Sequence, residues 1–244
     1  MKEDISFKIE LYNEAKKYNY ELNDNILDKL EKYKNLLLEW NEKINLTAIT
    51  DEYEIIVKHF IDCLECTKYI KVTDKVIDVG TGAGFPGIVI AIFFEDKLQI
   101  TLLDALNKRL LFLQEVIDKL QIKNVNIIHG RAEDIANEER CREKYDVVVA
   151  RALAPLNILT EYTTPYLKVN GIAVYMKGDS YEEEILKSKN AFNILNLKLK
   201  SKNEYKLKIN EEEIYNRYIL QIQKIKNTSK NYPRSYGKIK KMPL

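Results

Sequence analysis

"VIDVGTGAGFPGIVIAI", residues 76–92, passes from a strand pattern through four glycines in eight positions into an apolar helix pattern. Gly80, Gly82, Gly84 and Gly87 permit positive φ and close approach of backbone to a ligand, and an ordinary turn with four of them would lose entropy without return. Gly82-Ala-Gly84-Phe-Pro-Gly87 reads literally as the GxGxxG of dinucleotide sites. Two features oppose that reading. Asp78 stands just before the loop, where a carboxylate repels a pyrophosphate seated on a helix N-terminus. The strand also enters one glycine early, as Asp78-x-Gly80-x-Gly82-x-Gly84. S-adenosylmethionine carries an ammonium and a sulfonium and no phosphate, so Asp78 complements its methionine end. That cofactor, rather than NAD, is the expectation.

Working outward, short apolar runs alternate with helical stretches from Lys75 onward. "KVIDVG", "LQITLLDA", "NVNIIHG", "YDVVVARA" and "GIAVYMKG" read as strands, and residues 87–95, 107–121 and 155–167 as helices between them. This alternation predicts an α/β fold with a mostly parallel sheet covered on both faces. "AFNILNLKLKSKNEYKL" and "IYNRYILQIQKIK" read instead as a terminal antiparallel hairpin. Asp104 ends the second strand, 26 residues after Asp78, where a carboxylate accepts ribose hydroxyls. NAD and S-adenosylmethionine both have that ribose. After the third strand, Ala132 can contact an adenine ring and Glu133 or Asp134 can accept its exocyclic amine. His129 reads as a strand-end residue rather than a catalyst.

Residues 1–70 read as a helical N-terminal extension. Ile26, Leu30, Tyr33, Leu37, Trp40 and Ile44 recur at spacings of three and four, behind Asn23 or Asp24 as N-cap. A second helix, "DEYEIIVKHFIDCLECTKYI", holds Cys63 and Cys66, whose CxxC lacks the further ligands of a zinc site; packed helix cysteines are expected, and no metal. Residues 71–226 form the expected cofactor domain and 227–244 a basic tail. From Ile214 onward the chain has eight basic residues and no acid, so with a net charge of +2 the remainder carries −6. A basic end on an acidic body points to a polyanionic partner, against the alternative of a solvated tail. The acidic, apolar-poor start and the glycine- and proline-broken apolar stretch predict neither leader nor membrane span, hence a cytoplasmic protein, with a lean towards monomer.

Several stretches together resemble the bacterial small-subunit ribosomal RNA guanine-N7 methyltransferases (RsmG, formerly glucose-inhibited division protein B). They are "NLTAI" (45–49), "HFIDCL" (59–64), "DVGTGAGFPGI" (78–88), "LLDALNKR" (102–109), "GRAED" (130–134), "ARALAPL" (150–156), "YMKG" (175–178) and "YPRSYGKIKKMPL" at the end. The resemblance covers nearly the whole chain without a departure in the motifs. It implies a class I, Rossmann-like methyltransferase with a seven-stranded sheet behind the helical extension. It implies that Gly80, Phe85, Ala132, Glu133 and Arg151 touch the cofactor, and that the acceptor is one guanine in the decoding-region loop of 16S RNA or the small subunit.

Guanine N7 carries a lone pair and no proton, which agrees with the lack of any catalytic dyad in the sequence. Arg151, ending the fourth strand, can bind the cofactor carboxylate, an RNA phosphate, a guanine edge or a structural partner; the resemblance favours the carboxylate. Asn45, His59 and Asp62 either line the crevice from above or cap and pack helix ends. Lys230, Arg234, Lys238, Lys240 and Lys241 suit phosphates, and Tyr232 and Tyr236 suit base stacking. Removal of residues 230–244 is expected to weaken RNA binding and spare the cofactor, unless the tail is part of the fold. The rival readings are a methyltransferase acting on another RNA, a protein or a small molecule, an NAD-dependent dehydrogenase and a non-enzymatic RNA-binding protein.

Overall fold

The computed structural model describes residues 6–244. Seven strands make one sheet in the order β3-β2-β1-β4-β5-β7-β6. They are β1 Lys75–Val79, β2 Gln99–Asp104, β3 Val125–His129, β4 Tyr145–Arg151, β5 Leu167–Lys177, β6 Leu197–Lys208 and β7 Ile214–Lys224. β1 to β5 pair in parallel, and β7 inserts antiparallel between β5 and β6. The chain leaves β1 towards β2 on one side and returns to β4 on the other. A crevice opens at such a reversal, outside the carboxyl ends of the strands. The glycine loop after β1 and Arg151 at the end of β4 therefore meet there.

β1 and β4 are buried almost throughout because helices cover both faces of the sheet. On one face lie Phe7–Lys17, Asp24–Asn41, Gly87–Phe93 and Asn107–Leu120; on the other lies Leu156–Thr163. The Asp24–Asn41 helix starts as its sequence indicates, with the Asn23 side chain accepting from the Ile26 amide at 2.9 Å. Its periodic residues Ile26, Leu30, Tyr33 and Leu37 are buried.

The expected boundary at residue 70 is not a break in packing. Leu11, Leu30, Tyr33 and Phe60 share one apolar cluster with Val76, Ile88 and Phe112. Tyr33 also donates to the Ala83 carbonyl inside the glycine loop. The helical extension thus holds the glycine loop from behind. The start of the hairpin also differs from expectation: Lys189–Ile194 is helical, and β6 begins only at Leu197. Ala191 is buried and the helix packs on Leu156–Thr163, a tertiary contact that local β propensity does not register.

The tail is corrected more strongly. Arg234 grips the fully buried carboxylate of Glu161 through Nε at 2.8 Å and Nη2 at 2.7 Å, and its backbone amide donates to the same group at 2.8 Å. Arg142 donates to the carbonyls of Thr228, Ser229 and Tyr232. Ile239, in the short Tyr236–Lys241 helix, is fully buried. Residues 227–244 are therefore part of the fold, and Arg234 is an anchor rather than a free phosphate ligand. Lys230, Lys238, Lys240 and Lys241 remain exposed.

Removing one partner of a buried ion pair leaves an uncompensated charge, at about 3–5 kcal/mol. Arg234→Ala should accordingly lower stability in urea by about 3 kcal/mol, or detach the tail and leave it open to proteolysis. Unaltered unfolding with a protease-resistant tail would show that the pair does not anchor it.

Candidate active site

Asp78 is fully buried beneath the glycine loop. Its Oδ2 accepts from the Thr81 hydroxyl at 2.7 Å and the Gly87 amide at 2.8 Å, while Oδ1 has no partner. Burial pushes this carboxyl up to about 7, against the opposing pull of those two hydrogen bonds and of Arg151. The side chain thus ties both ends of the loop together from below and is not on the wall of either cavity described next. Gly80, Gly82 and Gly84 hold φ of +72°, +62° and +96°, a region that L side chains rarely adopt.

A small cavity of about 190 Å³ opens between the loop, the end of β2 and the segment after β3. Asp104 lines it. Its Oδ2 accepts from the Gly82 amide at 2.9 Å and its Oδ1 from the Leu106 amide at 2.8 Å. An ionised carboxylate offers roughly four lone-pair sites, so capacity for ribose hydroxyls remains. Ala132 and Glu133 also line the cavity, whereas Asp134 faces solvent. Glu133 Oε1 is buried without a hydrogen-bond partner, and burial raises its carboxyl above the usual range. Leu106, within "LLDALNKR", stands exposed at the rim as an apolar platform. An unpartnered acceptor, a strand-end carboxylate and an apolar rim are what an adenosine requires.

A larger cavity of about 720 Å³ lies on the other side of Leu153, whose side chain lines both. A Cβ on Gly80 would stand 2.5 Å from Leu153 Cδ1, so Leu153 lies directly against the loop. Ala152, at φ +54°, turns the chain between Arg151 and Leu153. Such a conformation costs energy in an L residue and concentrates at functional sites. Glu184 secures the turn by accepting from the Leu156 amide and from Lys177 Nζ, both at 2.7 Å.

Arg151 organises the larger cavity. Its Nη1 donates to the Lys58 carbonyl at 3.0 Å and to Asp62 Oδ2 at 3.1 Å, and its Nη2 reaches His59 Nδ1 at 3.2 Å. The guanidinium also lies 4.9 Å from the Phe85 ring centre, and the His59 ring stacks on Phe85 at 4.3 Å. A guanidinium only donates, so Nδ1 accepts and the imidazole is the Nε2–H tautomer. Nε2 then donates to Thr47 Oγ1 at 2.9 Å, and the nearby Lys58 carbonyl is not its partner. Burial first, and Arg151 second, lower the imidazole to about 3, so it stays neutral at physiological pH. The π-helical turn Ile55–Ile61 places the Lys58 carbonyl and the His59 ring together. Such insertions recur at functional sites.

His59, Asp62 and Arg151 are therefore brought together in one network. Phe85 is the floor under it, and Asn45 lies exposed outside it. From "NLTAI" it is Thr47 and Ile49 that reach the network and the cavity. Lys58, Lys177 and Arg217 line the same cavity, and Tyr205 donates to Asp62 Oδ1 at 2.7 Å. Lys177 lies in the quoted "YMKG"; Arg217 and Tyr205 arrive from the distant hairpin, without a local signal. Cys63 and Cys66 are buried, and burial raises both thiols.

This sheet order, with a glycine loop after β1 and a strand-end carboxylate on a small cavity beside it, defines a class I S-adenosylmethionine-dependent methyltransferase. Solved structures share the fold. A putative transferase from Pyrococcus horikoshii superposes with a TM-score of 0.55 at 14% identity, over 68% of this chain and 63% of that one. TYW2 of M. jannaschii, solved in complex with AdoMet, gives 0.52 at 18% identity, over 67% and 77%. The family model described as rRNA small subunit methyltransferase G matches residues 26–215. The Ribosomal RNA small subunit methyltransferase G of Alkaliphilus metalliredigens is 46% identical over 97% of this chain and 98% of that protein. The one from Clostridium perfringens strain SM101 is 49% identical over 92% and 93%. The chain belongs to the rRNA small subunit methyltransferase G family and is an S-adenosylmethionine-dependent ribosomal RNA methyltransferase. Among the described residues, no helix is long and apolar enough to cross a membrane.

Proposed function

We propose that the protein methylates N7 of a single guanine in the decoding-region loop of 16S rRNA, acting in the cytoplasm as a monomer. The observation that carries the acceptor reading is the cation-lined cavity beside the glycine loop. Lys58, Arg151, Lys177 and Arg217 line it against Asp62 and Glu184, with His59 neutral. Glu54 and Glu213 pair with Lys58, Asp62 with Arg151 and Glu184 with Lys177, which leaves Arg217, 3.9 Å from Asp62, as the cation placed to meet an anion at this mouth.

S-adenosylmethionine supplies an electrophilic sulfonium methyl, and guanine N7 meets it with an unprotonated lone pair, so no general base is required. The protein's task is alignment, which can supply roughly 7–11 kcal/mol. Asp104 and Glu133 hold the adenosine end. Among the described residues, none accepts from Arg151 Nε–H or from one Nη2–H, which suit a carboxylate or a phosphate. The neutral His59 lines the cavity beside Arg151, stacked on Phe85, which is buried and on neither cavity wall. In duplex RNA, N7 lies in a deep, narrow groove that side chains do not enter. The guanine must be looped or turned out of its stack. Exposed Lys230, Lys238, Lys240 and Lys241 suit the flanking phosphates.

The test is transfer of labelled methyl to ribosomal RNA from cells lacking this protein, followed by borohydride reduction and aniline cleavage. One strong cleavage in the decoding-region loop is expected. Labelled RNA that resists cleavage would move the reaction to another atom, and unlabelled RNA with intact cofactor binding would move it to another acceptor.

A further inference from the structure

The C-terminal segment, which its sequence presents as an RNA-binding arm, reaches the cofactor end of the site. Tyr236 lines the small cavity together with Asp104, Ala132 and Glu133. It is the first residue of the Tyr236–Lys241 helix, more than a hundred residues along the chain from Asp104, Ala132 and Glu133. The Arg131 guanidinium lies 4.6 Å from its ring centre, and Arg131 also lines the cavity. Tyr162 flanks the same space.

We infer that Tyr236, braced by Arg131, forms the outer wall of the adenosine cavity and binds the adenosine half of the cofactor. The inference rests on the cofactor reading of that cavity and adds a contact contributed by the tail.

Three features support a built wall rather than an accidental neighbour. The segment that delivers the ring is fixed on both sides, by the Arg234–Glu161 pair before it and by buried Ile239 after it. The residue is 40% exposed, so an aromatic side chain is held at the mouth of a cavity although the core does not need it. The opposite walls are polar and incompletely satisfied, with Glu133 Oε1 unpartnered. Tyr236 with Leu106 thus supplies apolar surface, and Asp104 with Glu133 supplies acceptors. Ligand sites for small molecules combine these two elements. Lys240 lies 5.0 Å from the same ring, so a cation suited to RNA phosphate touches the wall of the cofactor cavity.

The experiment is calorimetric titration of the full-length protein with S-adenosylhomocysteine and, separately, with adenosine. Wild type is compared with Tyr236→Ala, Tyr236→Leu and Tyr236→Phe. An aromatic ring stacked on a base contributes about 1–3 kcal/mol by alanine substitution. Tyr236→Ala is therefore expected to raise the dissociation constant of both ligands about tenfold, at the lower part of that range. Tyr236→Phe is expected to retain affinity, and Tyr236→Leu to lie between. Thermal melting of each variant guards against a folding defect; Tyr236→Leu keeps the apolar bulk if the alanine variant melts early. Affinities within twofold of wild type in folded Tyr236→Ala and Tyr236→Leu would overturn the assignment. So would weakening towards S-adenosylhomocysteine alone, because the ring would then act away from the adenosine. Failure of wild type to bind either ligand would overturn the cofactor reading of the cavity and the assignment with it.

Discussion

Asp78→Asn is expected to make the protein more stable at pH 8, by roughly 1–3 kcal/mol. The carboxyl stands near 7 in the folded chain because it is buried, against 3.8 for an ordinary aspartate. Below pH 3.8 it is neutral in both states, and its protonated form costs the fold nothing. As pH rises towards 7, the unfolded chain releases this proton and the folded chain retains it. Stability must therefore fall across that window, by up to about 4 kcal/mol, and level off above it. Asparagine cannot ionise, and its carbonyl oxygen can still accept from Thr81 and Gly87. Its amide, placed where Oδ1 has no partner, returns about 1–3 kcal/mol of that gain. Urea titrations of both proteins at pH 4, 6 and 8 make the comparison. Parallel stability curves for the two proteins would show that Asp78 does not hold its proton.

Arg151→Ala is the second large effect. Asp62 is buried and keeps only the Tyr205 hydroxyl at 2.7 Å and Arg217 at 3.9 Å once Arg151 is gone. Loss of about 3–5 kcal/mol follows from a carboxylate left in this state. The His59 ring loses its donor, the Lys58 carbonyl loses its partner and Phe85 loses the guanidinium above it. S-adenosylhomocysteine binding should weaken at least tenfold. Arg151→Lys should not restore it, because one ammonium cannot reproduce the planar fork that meets three acceptors at once. Unchanged cofactor affinity together with weaker RNA binding would reassign Arg151 to the acceptor. The two variants separate in direction: removing charge at Asp78 stabilises, and removing it at Arg151 destabilises, because loss of Arg151 leaves a buried charge, Asp62, without its ion-pair partner.

Much of this was written locally in the chain. Short apolar runs alternating with helices specify a covered parallel sheet, since period and run length are properties of neighbouring residues. The glycine spacing after Asp78 and the acid at Asp104 mark the cofactor end, because a turn and a strand terminus are local too. Asn23 as a cap and the buried stripe of the second helix belong to the same class of information. His59 and Asp62 stand three apart in a helical run, close enough to be suspected together.

Tertiary structure decided what those residues face. Asp78 turned beneath its loop because Thr81 and Gly87 offered hydrogen bonds there, which proximity to the glycines does not reveal. Thr47 rather than Asn45 meets His59, a choice made by loop path and not by composition. Arg217 and Tyr205 reach the Asp62 network through β-hairpin register, across more than a hundred residues. The basic tail is the clearest case: its charges announce RNA, yet Glu161 takes Arg234 and the small cavity takes Tyr236. Charge and periodicity are additive along a chain and can be read in order. Which charge is neutralised by a distant buried partner depends on packing, and only the folded chain brings that partner within reach.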